Sequence, residues 1–324
     1  MIVSRKIILS MNALSDEQKE AIRTAAPGYE LVIYEESLLL DELLMSRVEI
    51  VTGWRDDSAH WLLSNSNSHL RWIQLDSAGV EKLDCVLLQS RGIVLTNARG
   101  IHERQISESV FGMLLAHERG IDFAIRNQAG KLWERKDNLG ELHDRTILIA
   151  GTGSIGQGIA RIARLAFNMK TLGINRSGHE SPYFDVVGNQ SNIRELLPAA
   201  DVVVSVLPLT RETHHYFDSQ LFAVMKPGAY FINVGRGDSV DTAGLIDGLD
   251  KGRPGFAGLD VFEEEPLPPD HSLWTRDDVI LTPHVAGVST YYVEREQAVF
   301  LRNLRSWVQY GRPEVNIINL ELGY

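Results

Sequence analysis

The sequence predicts an α/β protein with two parallel-sheet domains, the first of which is discontinuous. Short apolar strands alternate with predicted helices through the first hundred residues, and a strand, a glycine turn, a helix and a strand follow one another over residues 146–175. Such alternation is typical of parallel sheets. A last helix, predicted over residues 291–310, would return to the first domain. The predicted domains are therefore residues 1–100 with 290–324, and residues 101–289.

The first domain begins with a predicted strand over residues 2–10, and Ser15 is placed to cap a helix over residues 16–25. The elements after it continue the alternation. They are a strand at residues 31–34, a leucine-rich helix at 37–45, and strands at 48–52, 70–75 and 93–96. This part of the chain forms one α/β unit without a glycine fingerprint.

A long helix is predicted next, from about residue 106 to residue 130. Its apolar residues include Val110, Phe111, Leu114 and Ile121, so it is too apolar to be a solvated linker. Two placements stay open from the periodicity alone. The helix packs between domains or subunits, or it is an ordinary helix of one core.

The second domain opens with a glycine turn between an apolar strand and a helix. Its first glycine allows the tight turn, its second lets a pyrophosphate approach the backbone, and its third lets the helix pack close to the strand. Phosphates are favoured at the N-terminus of the following helix. The predicted phosphate-binding residues are Gly151, Gly153, Ser154, Ile155 and Gly156. This context predicts a Rossmann-like dinucleotide-binding domain, and the first domain is predicted to be Rossmann-like as well.

The residues after the second strand of this unit favour NADP. A carboxylate about 20 residues after the glycine turn normally holds the ribose hydroxyls of NAD, but this chain has Asn175, Arg176 and Ser177 there. Arg176 can pair with a 2′-phosphate, and its two neighbours can donate to the same group. NADP is therefore the preferred cofactor, and NAD remains an alternative if Arg176 is only a solvated loop residue.

Polar side chains follow several later strands of the second domain. The predicted strands are residues 202–207, 230–233, 258–259 and 279–281. Arg236, Asp260 and His284 each come shortly after one of them. Ligands bind outside the carboxyl ends of the strands in open α/β sheets, so an arginine, a carboxylate and a histidine can converge on one crevice.

Composition and charge exclude several functional classes. The formal net charge of −11 argues against a nucleic-acid surface, and we find no apolar run of membrane-spanning length in the sequence. The single cysteine, Cys85, excludes an internal disulfide and fits a cytoplasmic protein. His214 and His215 look like a metal-binding pair, but adjacent residues on a strand or helix point apart. No metal site is predicted.

The order and spacing of these motifs resemble those of the D-2-hydroxyacid dehydrogenase family over essentially the full length of the chain. The matching motifs are GTGSIG from residue 151, VLPLT from 206, NVGRG from 233, GLDVFEEEPLP from 258 and TPHVAG from 282. The resemblance implies reduction of 2-keto acids to D-2-hydroxy acids with a nicotinamide cofactor, usually in homodimers.

The resemblance also implies roles for individual residues. Arg236 would hold the substrate carboxylate and keto oxygen, and His284 would donate a proton to that oxygen. Glu265 would bond the other imidazole nitrogen and favour the charged ring. The implied substrate-carboxylate loop comprises Ser77, Ala78 and Gly79. The further implied cofactor contacts are Leu207, Pro208, Thr213, Val234, Gly235, Asp260 and Gly287.

The sequence thus predicts a cytoplasmic, NADPH-preferring, homodimeric reductase of small 2-keto acids, with glyoxylate and hydroxypyruvate as leading substrates. Phosphoglycerate is less favoured because the chain ends soon after the last helix. The alternative is a nucleotide-sensing binding protein, like the transcriptional corepressors that share this fold. Turnover of NADPH with a 2-keto acid would separate the two hypotheses.

Overall fold

The computed structural model describes residues 5–35, 42–54, 61–77, 79–80 and 83–321. The chain divides into two compact units, one from residues 1–101 with 290–324 and one from residues 102–289. Each unit is built on its own parallel sheet, so the predicted α/β class with a discontinuous first unit is confirmed. The predicted strand residues 2–4, the predicted helix residues 37–41 and Ala78 lie outside the described residues.

The first unit contains a five-stranded parallel sheet of order β2-β1-β3-β4-β5. Its strands are β1 (Lys6–Ser10), β2 (Tyr29–Ile33), β3 (Val48–Thr52), β4 (Trp72–Gln74) and β5 (Val94–Thr96). Its helices are α1 (Asp16–Ala25), α2 (Glu42–Met45), α3 (Cys85–Ser90) and, from the C-terminal segment, α10 (Tyr292–Tyr310). All five predicted strands are present.

Helix α1 begins and ends at the predicted residues because its N-terminus is capped by Ser15. The Ser15 hydroxyl accepts a hydrogen bond from the Gln18 N–H at 3.2 Å. In return, Gln18 Oε1 accepts one from the Ser15 N–H at 2.8 Å. This capping box satisfies donors that the start of a helix otherwise leaves unpaired.

Helix α10 packs on the sheet of the first unit and makes that unit discontinuous. Phe300 and Trp307 are buried against Trp72, and the Trp72 ring centroid lies 5.6 Å from that of Phe300 and 5.3 Å from that of Trp307. Asn303 Nδ2 also donates to Gln74 Oε1 over 3.1 Å. Residues far apart in the sequence therefore share one core.

The second unit contains a seven-stranded parallel sheet of order β12-β11-β10-β9-β6-β7-β8. Its strands are β6 (Thr146–Ala150), β7 (Lys170–Asn175), β8 (Val186–Asn189), β9 (Val202–Ser205), β10 (Tyr230–Asn233), β11 (Phe256–Leu259) and β12 (Val279–Leu281). Its α-helices are α4 (Glu103–Glu118), α5 (Ile121–Ala129), α6 (Ser154–Phe167), α7 (Ile193–Leu196), α8 (Ser219–Val224) and α9 (Thr242–Asp250), and its 3₁₀ turns are Gln190–Asn192, Leu197–Ala199, Gly237–Ser239 and Ser272–Thr275.

The prediction of one helix over residues 106–130 is wrong. The segment forms the separate helices α4 and α5, because the chain turns at Gly120, whose φ of +64° is left-handed. Glycine adopts this conformation at little cost because it has no Cβ. Val110 and Leu114 of α4 are fully buried in the core of the second unit, which supports the core-helix alternative. Among the described residues, no helix is long and apolar enough to cross a membrane.

Candidate active site

The predicted site residues of the second unit follow the carboxyl ends of six strands of its sheet, with Asn175, Arg176 and Ser177 at the end of β7. Strand β6 lies between β7 and β9, so the strand order reverses there. Strands β6, β9, β10, β11 and β12 lead into the glycine turn, residues 206–208, residues 234–236, Asp260 and His284. Ligands of open α/β sheets bind at such a reversal. The parallel pairing therefore brings these segments to one edge of the sheet.

The turn after β6 has the shape that a pyrophosphate requires. Gly151 has a φ of +108°, and a Cβ on Gly156 would collide with the Gly151 carbonyl oxygen, so α6 packs directly on the turn. A Cβ on Gly153 would meet no described heavy atom within 4 Å. Open space thus lies beside the N-terminus of α6, for which Gly153 is the cap. These features fit the phosphates of a dinucleotide, held by the N–H groups at the start of α6.

Asn175 organises the loop after β7. Its Nδ2 donates to Thr152 Oγ1 at 3.0 Å and to the His179 carbonyl oxygen at 2.9 Å. Its Oδ1 accepts from the N–H groups of Ser177 at 3.1 Å and Gly178 at 2.6 Å. Both N–H hydrogens of the amide therefore already have acceptors within this part of the molecule.

Arg176 lies on the exposed side of this loop, near a carboxylate. Hydrogen bonds from its own backbone N–H and from the Thr210 hydroxyl lower the pKa of Glu212, and the charges of Arg211 and Arg176 lower it further. Arg176 and Arg211 therefore both lie near the Glu212 carboxylate, so this end of the sheet edge carries two positive charges and one negative charge.

The segments after β9 and β10 approach each other through their backbones. A Cβ on Gly235 would lie 2.7 Å from the Leu207 carbonyl oxygen, so a larger residue would force the segments apart. Thr213 is buried, and its hydroxyl donates to the Pro208 carbonyl oxygen at 2.6 Å. Val234 is buried beside them. The predicted cofactor contacts in these segments therefore form one continuous strip.

His284 and Glu265 form the hydrogen bond that the resemblance implies. His284 Nδ1 lies 2.7 Å from Glu265 Oε2, and Glu265 Oε1 accepts from the Phe262 N–H at 3.0 Å. The carboxylate is therefore oriented by the backbone and in turn orients the ring. The His284 side chain is 52% exposed. Because Nδ1 is hydrogen-bonded to the Glu265 carboxylate, Nε2 is the ring nitrogen that can act on a substrate.

The backbone of His284 is left-handed, with a φ of +54°. Hydrogen bonds to Asp260 hold the backbone in this conformation. The Asp260 carbonyl oxygen accepts from the His284 N–H at 2.8 Å. Its carboxylate, only 2% exposed, accepts from the Thr282 hydroxyl at 2.6 Å and from the N–H groups of Val285 at 2.9 Å and Ala286 at 3.0 Å. Such a backbone costs about 1–3 kcal/mol in a non-glycine residue. Asp260 therefore stabilises the loop, and its contact with a cofactor stays a prediction.

Arg236 follows β10 on a segment held by hydrogen bonds to its main chain. Its carbonyl oxygen accepts from Asn233 Nδ2 at 3.0 Å and from the Ser239 hydroxyl at 2.6 Å. Its Nη1 donates to the Gly235 carbonyl oxygen at 2.9 Å. His102, which the sequence alone did not indicate as a site residue, has a pKa that is lowered by burial and by the Arg236 charge. No local pattern could have linked these two residues, because they are distant in sequence.

The predicted substrate-carboxylate loop belongs to the first unit. The Ser77 hydroxyl donates to the Gly79 carbonyl oxygen at 3.1 Å, and the Ser77 carbonyl oxygen accepts from the Ala98 N–H at 2.9 Å. Ala78, between them, lies outside the described residues. The described part of the loop is thus tied to the segment after β5.

His214 and His215 do not point apart as predicted. Their rings stack with centroids 4.1 Å apart, because His215 has a left-handed φ of +47° and lies outside a regular helix or strand. His215 Nε2 also lies 2.6 Å from Glu263 Oε1. Within the described part of the chain, no group of three or more His, Cys, Asp and Glu residues could hold a metal ion.

Comparisons with known proteins agree with this architecture. The model of the D-isomer specific 2-hydroxyacid dehydrogenase NAD-binding domain matches residues 111–286. The chain is 34% identical over 255 residues to glyoxylate/hydroxypyruvate reductase B of Citrobacter koseri. This match covers 77% of this chain and 78% of that protein.

Two solved structures share the fold over nearly the whole chain. A D-isomer specific 2-hydroxyacid dehydrogenase family protein from Aeromonas salmonicida is 37% identical, with a TM-score of 0.82 and coverage of 98% of this chain and 100% of that one. The NADPH-dependent glyoxylate/hydroxypyruvate reductase of Sinorhizobium meliloti, in complex with NADP and sulfate, is 27% identical, with a TM-score of 0.79 and coverage of 99% and 100%. The predicted resemblance is confirmed: this chain belongs to the D-isomer specific 2-hydroxyacid dehydrogenase family of oxidoreductases.

Proposed function

We propose that this enzyme reduces small 2-keto acids, above all glyoxylate and hydroxypyruvate, to D-2-hydroxy acids, with NADPH as the preferred cofactor. The observation that carries the proposal is the 2.7 Å hydrogen bond between His284 Nδ1 and Glu265. These two residues and Arg236 all follow strands that end at the same edge of the sheet. The relatives from Citrobacter koseri and Sinorhizobium meliloti are named glyoxylate/hydroxypyruvate reductases, which supports the choice of substrate.

In the proposed mechanism, Arg236 binds the substrate and His284 protonates it. The planar guanidinium can donate two parallel hydrogen bonds, one to the carboxylate and one to the adjacent keto oxygen. A bound nicotinamide supplies the hydride to the carbonyl carbon. His284 donates a proton from Nε2 to the keto oxygen as negative charge develops there. Glu265 stabilises the positively charged His284 ring before the proton is transferred. Its hydrogen bond to Nδ1 keeps the neutral ring in the same orientation afterwards.

We assign the second unit as the dinucleotide-binding domain and the first as the substrate domain. The glycine turn and the strip formed by Leu207, Pro208, Val234 and Gly235 support the first assignment, since both follow strand ends of one sheet. The assignment of Ser77, Ala78 and Gly79 to the substrate carboxylate rests on the family resemblance. Its physical support is the hydrogen bonding that ties the described loop residues to the segment after β5.

The preference for NADPH is argued from the loop after β7. Asn175 stands where a carboxylate would bind the NAD ribose, and its amide is engaged in shaping the loop. Arg176 and Ser177 are then the side chains that would contact a 2′-phosphate. Arg211 is a second arginine at this end of the sheet edge, since its charge and that of Arg176 both act on Glu212. The Sinorhizobium meliloti reductase was solved with NADP, which agrees with this choice.

Replacing Arg176 by alanine is expected to lower kcat/KM for NADPH and leave kcat/KM for NADH nearly unchanged. A charge-assisted hydrogen bond contributes about 1.5–3 kcal/mol, so the loss should be roughly ten- to hundredfold. Asn175→Asp combined with Arg176→Ala should favour NADH, because the new carboxylate repels the 2′-phosphate. Steady-state kinetics with both cofactors would measure this, with Arg194→Ala as the control. A wild-type enzyme that already prefers NADH would contradict the assignment.

A panel of keto acids assayed with both cofactors tests the proposed function. Glyoxylate, hydroxypyruvate, pyruvate, 2-ketogluconate and phosphohydroxypyruvate would be compared by the loss of reduced-nicotinamide absorbance. The highest kcat/KM with glyoxylate or hydroxypyruvate would support the proposal. Binding of NADPH without turnover of any keto acid would favour the alternative, a nucleotide-sensing binding protein.

We also propose that the enzyme is a homodimer that uses the exposed apolar residues around α5. Trp133 is 97% exposed, which is unusual for so large an apolar side chain. Further exposed apolar residues of this face are Ile121, Ile125, Leu132 and Leu139. Several large exposed apolar residues within one short stretch of chain favour a protein–protein interface there.

One cysteine in the chain suits a reducing compartment, so we propose a cytoplasmic location.

Trp133→Ala is expected to weaken the dimer. A tryptophan at the centre of an interface contributes about 2 kcal/mol or more, so the dimer dissociation constant should rise at least about 30-fold. Sedimentation over a concentration series would measure it. Trp274→Ala is the control, because Trp274 is a second exposed tryptophan, at 52%, and lies between β11 and β12. A monomeric wild-type enzyme, or equal effects of the two variants, would contradict this interface.

A further inference from the structure

We propose that His102 and Gln105, in the first turn of α4, are positioning residues for the active site. Gln105 and His102 both contact the loop that carries His284, at Gly287. This inference rests on the proposed function, because it assigns the two residues to positioning the proton donor named there. His102 is the N-cap residue of α4, and Gln105 lies one turn further along.

Gln105 forms a hydrogen bond to the end of the loop that carries His284. Its Nε2 donates to the Gly287 carbonyl oxygen at 3.1 Å, and the residue is only 7% exposed. The His102 ring packs against the same glycine, since a Cβ there would lie 3.2 Å from His102 Cδ2. Asp260 holds the start of this loop. The strained segment over residues 284–287 is therefore held at both ends.

The charge state of His102 suits its place against Gly287. Burial and the positive charge of Arg236 lower the pKa of His102, which favours the neutral ring. A neutral ring adds no second positive charge near Arg236, whereas a lysine or arginine at this position would repel it.

The first turn of α4 is itself firmly placed, because α4 packs closely on α6. A Cβ on Gly158 of α6 would collide with the Glu103 side chain and would lie 2.8 Å from Ser107 Oγ. Arg161 of α6 also pairs with Glu103, at 3.3 Å. Helix α6 begins at the glycine turn. The same pair of packed helices thus carries both the phosphate-binding turn and the residues that contact the His284 loop.

Two alanine variants test the two contacts separately. Gln105→Ala is expected to lower kcat about tenfold with little change in KM for glyoxylate, because it displaces the proton donor. His102→Ala is expected to lower kcat by a smaller factor, because it removes the packing of the ring against Gly287. His102→Gln, which keeps a neutral hydrogen-bonding side chain, should recover most of that loss. Arg104→Ala, on the exposed side of the same turn, is the matched control.

Hydrogen exchange supplies a readout that does not depend on turnover. The amides of residues 284–288 should exchange faster in Gln105→Ala and His102→Ala than in wild type or Arg104→Ala, while the affinity for NADPH stays unchanged. The inference is overturned if kcat, KM and exchange match the control. It is also overturned if both variants lose NADPH affinity together with kcat, as a general structural defect would produce. A wild-type enzyme without turnover would defeat the proposed function, and exchange alone would then decide this inference.

Discussion

A His284→Asn enzyme is expected to fold, to bind NADPH and to reduce keto acids about 10²–10⁴ times more slowly than wild type. That range is the usual contribution of a positioned proton donor. Asparagine is the informative replacement because His284 has a left-handed backbone, and asparagine adopts that conformation more readily than alanine does. The variant therefore removes the proton donor with the least disturbance of the loop that Asp260 holds.

The measurement is kcat at saturating glyoxylate and NADPH, together with the NADPH dissociation constant. His143→Ala, at an exposed position of the second unit, controls for loss of a histidine. Glu265→Gln should have a smaller effect, because it keeps a hydrogen-bonding group beside the ring and removes only the charge. Near-normal turnover of a folded His284→Asn enzyme that binds NADPH would refute the assignment of His284 as the proton donor.

Arg236→Lys is expected to weaken binding of the keto acid and to slow its reduction, because the guanidinium serves both. Lysine keeps the positive charge, but it cannot donate two parallel hydrogen bonds from a planar group. The loss of one charge-assisted hydrogen bond, about 1.5–3 kcal/mol, predicts a fall in kcat/KM for glyoxylate of roughly ten- to hundredfold. KM should rise because the carboxylate is held less well, and kcat should fall because the keto oxygen is no longer directed at His284.

Kinetics at varied glyoxylate and saturating NADPH would separate these two effects. Arg253→Lys is a suitable control, because Arg253 lies before β11 in the same unit and bonds the Ala223 carbonyl oxygen. Unchanged KM and kcat in Arg236→Lys would show that Arg236 does not bind the substrate. A rise in KM alone would show that it binds the carboxylate without directing the keto oxygen.

The glycine turn, Arg236 and His284 could be located from the sequence because each follows a short apolar strand. In a parallel sheet the carboxyl ends of strands share one edge, so local patterns sufficed to place these residues together. Periodicity also located the strands of the first unit. The bounds of α1 were correct because its cap, Ser15, is a local signal.

Other features depend on contacts between residues that are distant in sequence, and no local pattern could show them. The break at Gly120 was missed because one glycine within an apolar pattern is compatible with a continuous helix. His102 lies beside Arg236 only in the folded unit. The engagement of the Asn175 amide by Thr152 likewise follows from the path of the loop, which composition and spacing do not determine.

The discontinuity of the first unit has a consequence for synthesis on the ribosome. Residues 102–289 contain every strand of the second sheet, so that unit can complete its core as soon as it has emerged. The first sheet has to wait for Phe300 and Trp307, which cover Trp72. We therefore expect the unit that begins the chain to finish folding last. Until then its apolar sheet face is exposed, and the nascent chain is most prone to aggregation in that interval.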